Sequence, residues 1–422
     1  MGASLNKREF ATDNKLETST PCVVICPGCH GHGVARSLGR LGVAVYGVHA
    51  DEKSPSAVSR YWRGNYFWDL AKASPADSVD WLLRLARRIG CRPILIPTDD
   101  HSCLFVDDNA EALLQEYLFP KQPAGLTRSL SNKKQLYSLC RKVSIPTAET
   151  VFPQSRDDVR EFISNCEFPV MLKGIDTVCL QKRCGVRMVI VNDGETLLKR
   201  YDEMESPDAP CLMLQEYIPG GAENVWMFDG YFDGESNCLF GITGRKLRQY
   251  PAYTGMTSLG VCETNETLSA MIMDFMKAVG YRGILDIGYK YHPGNGKYYL
   301  LDPNPRLGCS FRLFVDSLGM DVVRALYMDL TGQLFRTGKL REGRKWLVEP
   351  FDIISSVRYW RDGNLKLADW LRSFRGVEEA QWFARDDMRP FWQVWGQITR
   401  CECVGKDDPA IFAWISRLLA RT

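Results

Sequence analysis

The sequence predicts a mixed chain, part α/β and part α+β: a Rossmann-like layer, a larger fold with antiparallel strands, and a small C-terminal α+β region. Three observations carry this. Val23 to Cys26 is a short apolar run that ends in a glycine-rich loop, a helical pattern (Val34, Leu38, Leu41) and a second strand, Val43 to Val48, which is a βαβ opening. Much later, the runs Gly283 to Tyr291 and Lys297 to Leu301 flank His292-Pro293-Gly294-Asn295-Gly296 and read as an antiparallel hairpin. Finally, 422 residues exceed the roughly 250–300 at which a single core stops growing.

Composition narrows the class. Apolar residues at 45% and charged residues at 25% are ordinary for a globular protein. A formal charge of +2 favours no polyanionic partner, and no run of 18 apolar residues is present to span a bilayer, so neither nucleic acid nor membrane is expected. Met1 to Thr20 is polar and reads as a disordered leader. Fifteen scattered cysteines, an odd number, fit reduced thiols and a cytoplasmic location better than a disulfide framework. Cys26-Pro27-Gly28-Cys29 and Cys401-Glu402-Cys403 lack the second CxxC that would make a zinc site.

Taken in order, the first domain runs over 21–125. Helix Ser78 to Ile89, strand Pro93 to Pro97 and helix Asn109 to Tyr117 continue its parallel layer. The loop Gly28-Cys29-His30-Gly31-His32-Gly33 aims at a helix N-terminus, where an anion can bind. It does not fit G-x-G-x-x-G, so a dinucleotide site with Asp51 as the ribose acid ranks last. His30, His32 and His101 sit in loops expected at the carboxyl ends of the strands.

The second domain spans 126–338, with a smaller subdomain over about 145–217. A helix capped by Ser131 or Asn132 carries Lys133. Phe168 to Lys173 is an apolar strand that ends on a lysine, which is costly to desolvate unless it meets an anion. Lys182 to Gly185 reads as a glycine-containing loop, followed by a strand from Gly185 to Val191 and a helix from Gly194 to Met204. Cys211 to Ile218 is a strand that leads into Pro219-Gly220-Gly221-Ala222-Glu223. Strands Asn224 to Phe232 and Asn237 to Leu247 follow, the second entering Arg245-Lys246-Leu247-Arg248; alternation puts Lys246 and Arg248 on one face and Arg245 on the other. Residues 339–422 hold seven of the eleven tryptophans, a density that suits a small core, and end in a helix from Asp407-Asp408-Pro409.

The hairpin delivers Leu301-Asp302-Pro303-Asn304-Pro305-Arg306. Each proline pushes its predecessor into an extended conformation, so Asp302, Asn304 and Arg306 project toward one face. Two hard oxygen ligands beside a fixed cation suit a magnesium–phosphate site.

In series, a lysine at a helix start, a lysine at a strand end, an apolar strand with a hinge and an acid, a basic strand and the Asp-Pro-Asn-Pro-Arg exit resemble the ATP-grasp superfamily. The likeness is to its carboxylate-amine ligases and the carbamoyl phosphate synthetase large subunit, and it covers about residues 20–335. It implies a pre-ATP-grasp domain, an ATP-grasp fold, and the cofactors ATP and Mg2+. On this resemblance Lys133 and Lys173 neutralise ATP phosphates; Gln215, Glu216, Tyr217 and Ile218 form the adenine hinge, and Glu223 takes the ribose hydroxyls. Asp302 and Asn304 hold magnesium, Arg306 steadies an acyl phosphate, and Arg245 and Lys246 face the γ-phosphate and the substrate carboxylate. One position departs: opposite Asp302 the family places an acid or glutamine where this chain has Gly288, so Asp286 is assigned as the third metal ligand. The implied reaction joins a small-molecule carboxylate, such as an amino acid, to an amine through an acyl phosphate. A carboxylase-type enzyme and a catalytically lapsed nucleotide-binding protein stand as alternatives, and a homodimer is the commonest assembly for such a chain.

Overall fold

The computed structural model describes residues 16–26, 31–206 and 210–399. Three sheets organise it. The first is parallel, in the order Trp62–Phe67, Val45–His49, Cys22–Ile25, Ile94–Pro97. Cys22–Ile25, Val45–His49 and Ile94–Pro97 are short and almost wholly buried, as a sheet covered on both faces requires, while the edge strand Trp62–Phe67 is buried mainly at Trp62. The third is antiparallel, in the order Thr150–Val151, Leu212–Glu216, Val170–Gly174, Met188–Val191. Helices Arg156–Asn165 and Gly194–Met204 close over it around Val159, Leu172, Leu197 and Leu214.

Between them lies a seven-stranded sheet in the order Lys297–Asn304, Gly283–His292, Val225–Phe232, Cys238–Tyr250, Met256–Cys262, Lys345–Leu347, Val377–Ala380. Its last two strands come from the tryptophan-rich segment, which thus extends the central sheet. Trp346 and Trp382 are buried in one core with Val34 and Leu38 of the first domain, while Trp360 and Trp392 are exposed. Among the described residues no helix is long and apolar enough to cross a membrane.

Several expectations change against this frame. The glycine loop leads into helix Gly31–Gly39, but the start of that helix is roofed by the rest of the chain. A Cβ on Gly33 would fall 2.8 Å from the Phe311 ring, and His32, wholly buried, stacks 4.7 Å from Trp382 and meets the Gln381 carbonyl at 2.6 Å. These contacts make His32 a packing residue. His101 is exposed in the first turn of helix Asp100–Asp108, and His30, with Pro27 to Cys29, lies outside the described residues.

The expected helix Asn109 to Tyr117 is Asp100–Asp108 followed by the short Ala110–Leu113, because Asp99 accepts the Ser102 N–H and starts the helix earlier. Lys182 to Gly185, expected as a loop, is instead the end of helix Thr177–Cys184 and the glycine that follows it. Asp176 accepts the Cys179 N–H at 2.9 Å near its start, and Gly185 ends it at φ +76°. Of the leader, 1–15 lie outside the described residues; the Glu17 and Thr20 carbonyls accept from the Tyr327 hydroxyl and are held. The helix expected from Asp407 and the Cys401–Cys403 pair also lie outside.

Candidate active site

The site is set by sheet register. Gly288 pairs with Asp302 and Asp286 with Asn304 across the hairpin. On the other side of the same strand, Gly288 pairs with Met227 and Asp286 with Asp229. Two same-face rows result, Met227–Gly288–Asp302 and Asp229–Asp286–Asn304, about 6–7 Å apart along the strands. The arrangement opposite Asp302 is the expected one: no acid stands there, and a Cβ on Gly288 would find its nearest neighbours 3.9 and 4.0 Å away.

Three lysines converge on Asp302. Lys133, in the first turn of helix Lys133–Lys142 behind its Asn132 cap, donates to the Gly174 carbonyl at 2.7 Å. Lys173 ends its strand by donating to Gln215 Oε1 at 2.6 Å, and Gln215 in turn donates to Thr150 Oγ1 at 2.9 Å. Lys246 donates to the Gly255 carbonyl at 3.1 Å. Burial lowers the pKa of all three. Lys173 falls furthest, to about 8, because the Lys133 charge adds to the burial, with Asp302 opposing. The Asp302 carboxyl opens to the cleft yet is ringed by protein, which pushes it up to about 6 against the pull of Lys133.

Arg306 anchors the rim. Its Nε donates to Asp100 Oδ1 at 2.6 Å, one Nη donates to Asn304 Oδ1 at 3.0 Å, and the other lies 3.9 Å from Asp286. Asn304 Nδ2 donates to Asp286 at 3.2 Å. Behind Arg306, a cavity of about 80 Å3 is lined by Pro97, Cys103, Tyr281, Arg282 and Leu307. It is far below the few hundred Å3 a nucleotide needs.

Other predicted residues line the hinge. Glu216 pairs with Glu149 through the backbone at 2.9 Å, Ile218 is buried, and the Tyr217 ring lies 5.0 Å beneath Lys290. Glu223 is exposed, accepts from the Gly221 N–H at 3.0 Å, and is close enough to Lys290 to favour its charge. Arg245 is not brought to the Asp302 cluster. Alternation sends it to the opposite face, where it pairs with Glu263 at 2.5 Å and lies 5.5 Å over Trp226. Lys246 and Arg248, expected side by side, part company because the ladder shifts register between them; Arg248 is buried against Asp352 at 2.7 Å.

Sequence reasoning missed Lys290, Asp100 and Asp229. Lys290 follows Asp286 and Gly288 at period two on one strand, a signal that was available. Asp100 reaches Arg306 from another domain and no local pattern announces it.

The donors present suit magnesium. Among the described residues no three His, Cys, Asp or Glu side chains group as a self-sufficient metal cage. Asp302, Asp286 and the Asn304 amide supply hard oxygens, however, and Mg2+ is ordinarily held by one or two carboxylates with phosphate oxygens and water completing the shell.

No family model matches the chain. A D-aspartate ligase of Enterococcus faecium is 23% identical over 313 residues, 69% of this chain and 73% of the relative. An N5-carboxyaminoimidazole synthetase from Staphylococcus aureus, solved with ADP, superposes with a TM-score of 0.59 over 79% of this chain and 82% of its own, at 12% identity. The chain has an ATP-grasp fold. Another ATP-grasp structure, the L-amino acid ligase of Bacillus licheniformis, superposes at a TM-score of 0.57, 13% identical, over 78% of this chain and 79% of its own.

Proposed function

We propose that this protein is an ATP-dependent carboxylate–amine ligase that forms an amide through an acyl phosphate and releases ADP and phosphate. The observation that carries the reading is the convergence of Lys133, Lys173 and Lys246 on Asp302, each lysine bonded only to a neutral oxygen. A cluster of this kind suits a polyanion with a bridging cation, and phosphoryl transfer asks a protein mainly for positioning and charge neutralisation.

The roles follow from position. Lys133 and Lys173 take nucleotide phosphates, and Gln215 fixes Lys173 from behind. Glu216 to Ile218 meet the adenine edge through their backbone, with Tyr217 and Lys290 beside them, and Glu223 takes the ribose hydroxyls. Asp302, Asn304 and Asp286 would hold Mg2+, which when bound neutralises phosphate charge. Lys246 and Arg306 orient the substrate carboxylate against the γ-phosphate; its oxygen attacks phosphorus and ADP leaves. The amine then attacks the acyl carbon and phosphate departs. Asp100 holds Arg306 in place across the domain boundary.

The relative named D-aspartate ligase makes D-aspartate the first acid to try. Purified protein with ATP, Mg2+, D- and L-amino acids as acids and a panel of amines should release ADP only when acid and amine are both present, with an amide seen by mass spectrometry. A bicarbonate arm reads out carboxylase-type chemistry. No ADP release across the panel, together with no ADP binding by calorimetry, sinks the proposal; ADP binding without turnover leaves the lapsed nucleotide-binding reading in its place.

A further inference from the structure

Among the described residues, Asp229 is the one carboxylate with both oxygens buried and unbonded. It is wholly buried on the central strand Val225–Phe232, and neither carboxylate oxygen meets a protein hydrogen-bond donor. Leaving an ionised carboxylate in such a place costs several kcal/mol. Its cross-strand partner is another acid, Asp286. Directly opposed residues hold their Cβ atoms about 4.5–5.5 Å apart, and like charges in that relation repel. The next residue in the row is Asn304.

Around the pair the walls are tight. A Cβ on Gly308 would fall 2.6 Å from the Asp286 carboxyl carbon, so the backbone there closes against that carboxylate. Arg306 reaches Asp286 at 3.9 Å and is already committed to Asp100 and Asn304, and the Lys246 charge is also felt by Asp286. The next row outward, by contrast, has no acid opposite Asp302, only Gly288. Acidic density has thus moved one row inward along the sheet.

We propose that Asp229 is a cation ligand: with Asp286 it seats a divalent cation beside Asn304, one sheet row deeper than Asp302. The seat supplies two carboxylates, within the range that Mg2+ or Mn2+ accepts with water completing the shell; the Asn304 amide oxygen accepts from Arg306 and joins them only by giving up that bond. It rests on the ATP-grasp reading for its neighbourhood, but it needs no nucleotide to be tested.

The test uses the nucleotide-free full chain and the metal alone. Wild type should bind Mn2+, followed by loss of the free-ion signal in electron paramagnetic resonance, and Mg2+ should raise its melting temperature by mass action. Asp229→Asn should weaken Mn2+ binding at least tenfold and abolish the Mg2+ increment. Its metal-free melting temperature should rise, because the opposed charges are gone. Asp229→Ser is read beside it in case the amide variant does not fold. Wild type that binds no Mn2+ without nucleotide, or an Asp229→Asn variant that binds it as tightly as wild type, overturns the proposal and leaves Asp229 a buried neutral acid. ADP binding on the same samples reports separately on the nucleotide site.

Discussion

Where the C-terminal segment packs onto the first and second domains, buried charges are matched with charges. Arg312 pairs with Asp321 and Glu379, Arg344 with Glu378 and Glu379, and Arg248 with Asp352. Arg36 spends four hydrogen bonds on Asp387, Gln381 and Trp382. In the cleft the density of charge is similar and the matching is not. Lys133, Lys173 and Lys246 each rest on one neutral oxygen, though an ammonium carries three donors. Both regions contain arrangements that composition alone would call ion-pair clusters. The difference is that one is complete in itself, and the other is shaped for a ligand's charge.

Mutation should separate the two. Arg312→Ala removes the cation that Asp321 and Glu379 share, leaving Glu379 to Arg344 and Asp321 to Arg324 and Ser37; breaking a buried pair costs about 3–5 kcal/mol, to be read by urea denaturation. Asp302→Ala should do the reverse. Its carboxylate faces the cleft, so stability should change by less than about 1 kcal/mol, while turnover falls by about 10²–10³, the usual cost of losing one preorganised electrostatic group. If Asp302→Ala unfolded the protein as Arg312→Ala does and spared turnover, the contrast between the regions would fail.

A smaller effect probes the edge of the cleft. Glu223 already holds the Gly221 N–H and lies near Lys290, so its carboxylate is oriented before any ribose arrives. Glu223→Gln should weaken ADP binding by about tenfold in calorimetry, in keeping with about 1.5 kcal/mol for a hydrogen bond to a charged group. An unchanged affinity would remove Glu223 from the nucleotide site and shift attention to Lys290 and Tyr217.

What the sequence disclosed and what it withheld divide along the same line. The exit Asp302 to Arg306 was legible because prolines fix the backbone locally and period two fixes the face. Lys133 and Lys173 were legible from a helix cap and a strand end. Asp229 was not, since it reads as one acid in an aromatic strand until register places it against Asp286. Asp100 reaches Arg306 across 206 positions of chain, and Lys246 and Arg248 diverge at a register shift that no alternation pattern contains. The roof over the glycine loop depends on Trp382 and Phe311, supplied from two segments each read as a separate domain. Local geometry was readable; the pairings between distant segments were not.

The gentlest prediction tests the unmatched charge directly. Lys173 is held at about 8 by burial and by Lys133. Below pH 8 it is charged and available to phosphate; above pH 8 the free protein loses that proton. Nucleotide phosphates stabilise the ammonium, so the bound form keeps the proton to higher pH, and binding between these two limits must take one up. The sign follows: ADP affinity should be flat near pH 7 and fall as pH rises through 8, by about tenfold at pH 9. The terminal phosphate of ADP only gains charge as pH rises past 7 and is fully ionised above pH 8, so it contributes no fall. Calorimetry in two buffers of different ionisation enthalpy should show proton uptake approaching one at pH 9 and little at pH 7. Lys173→Arg, whose guanidinium stays charged, should flatten the profile. A slope that persists in Lys173→Arg would move the titrating group to Lys133 or Lys246, and the absence of any slope would mean that the lysine cluster does not meet phosphate.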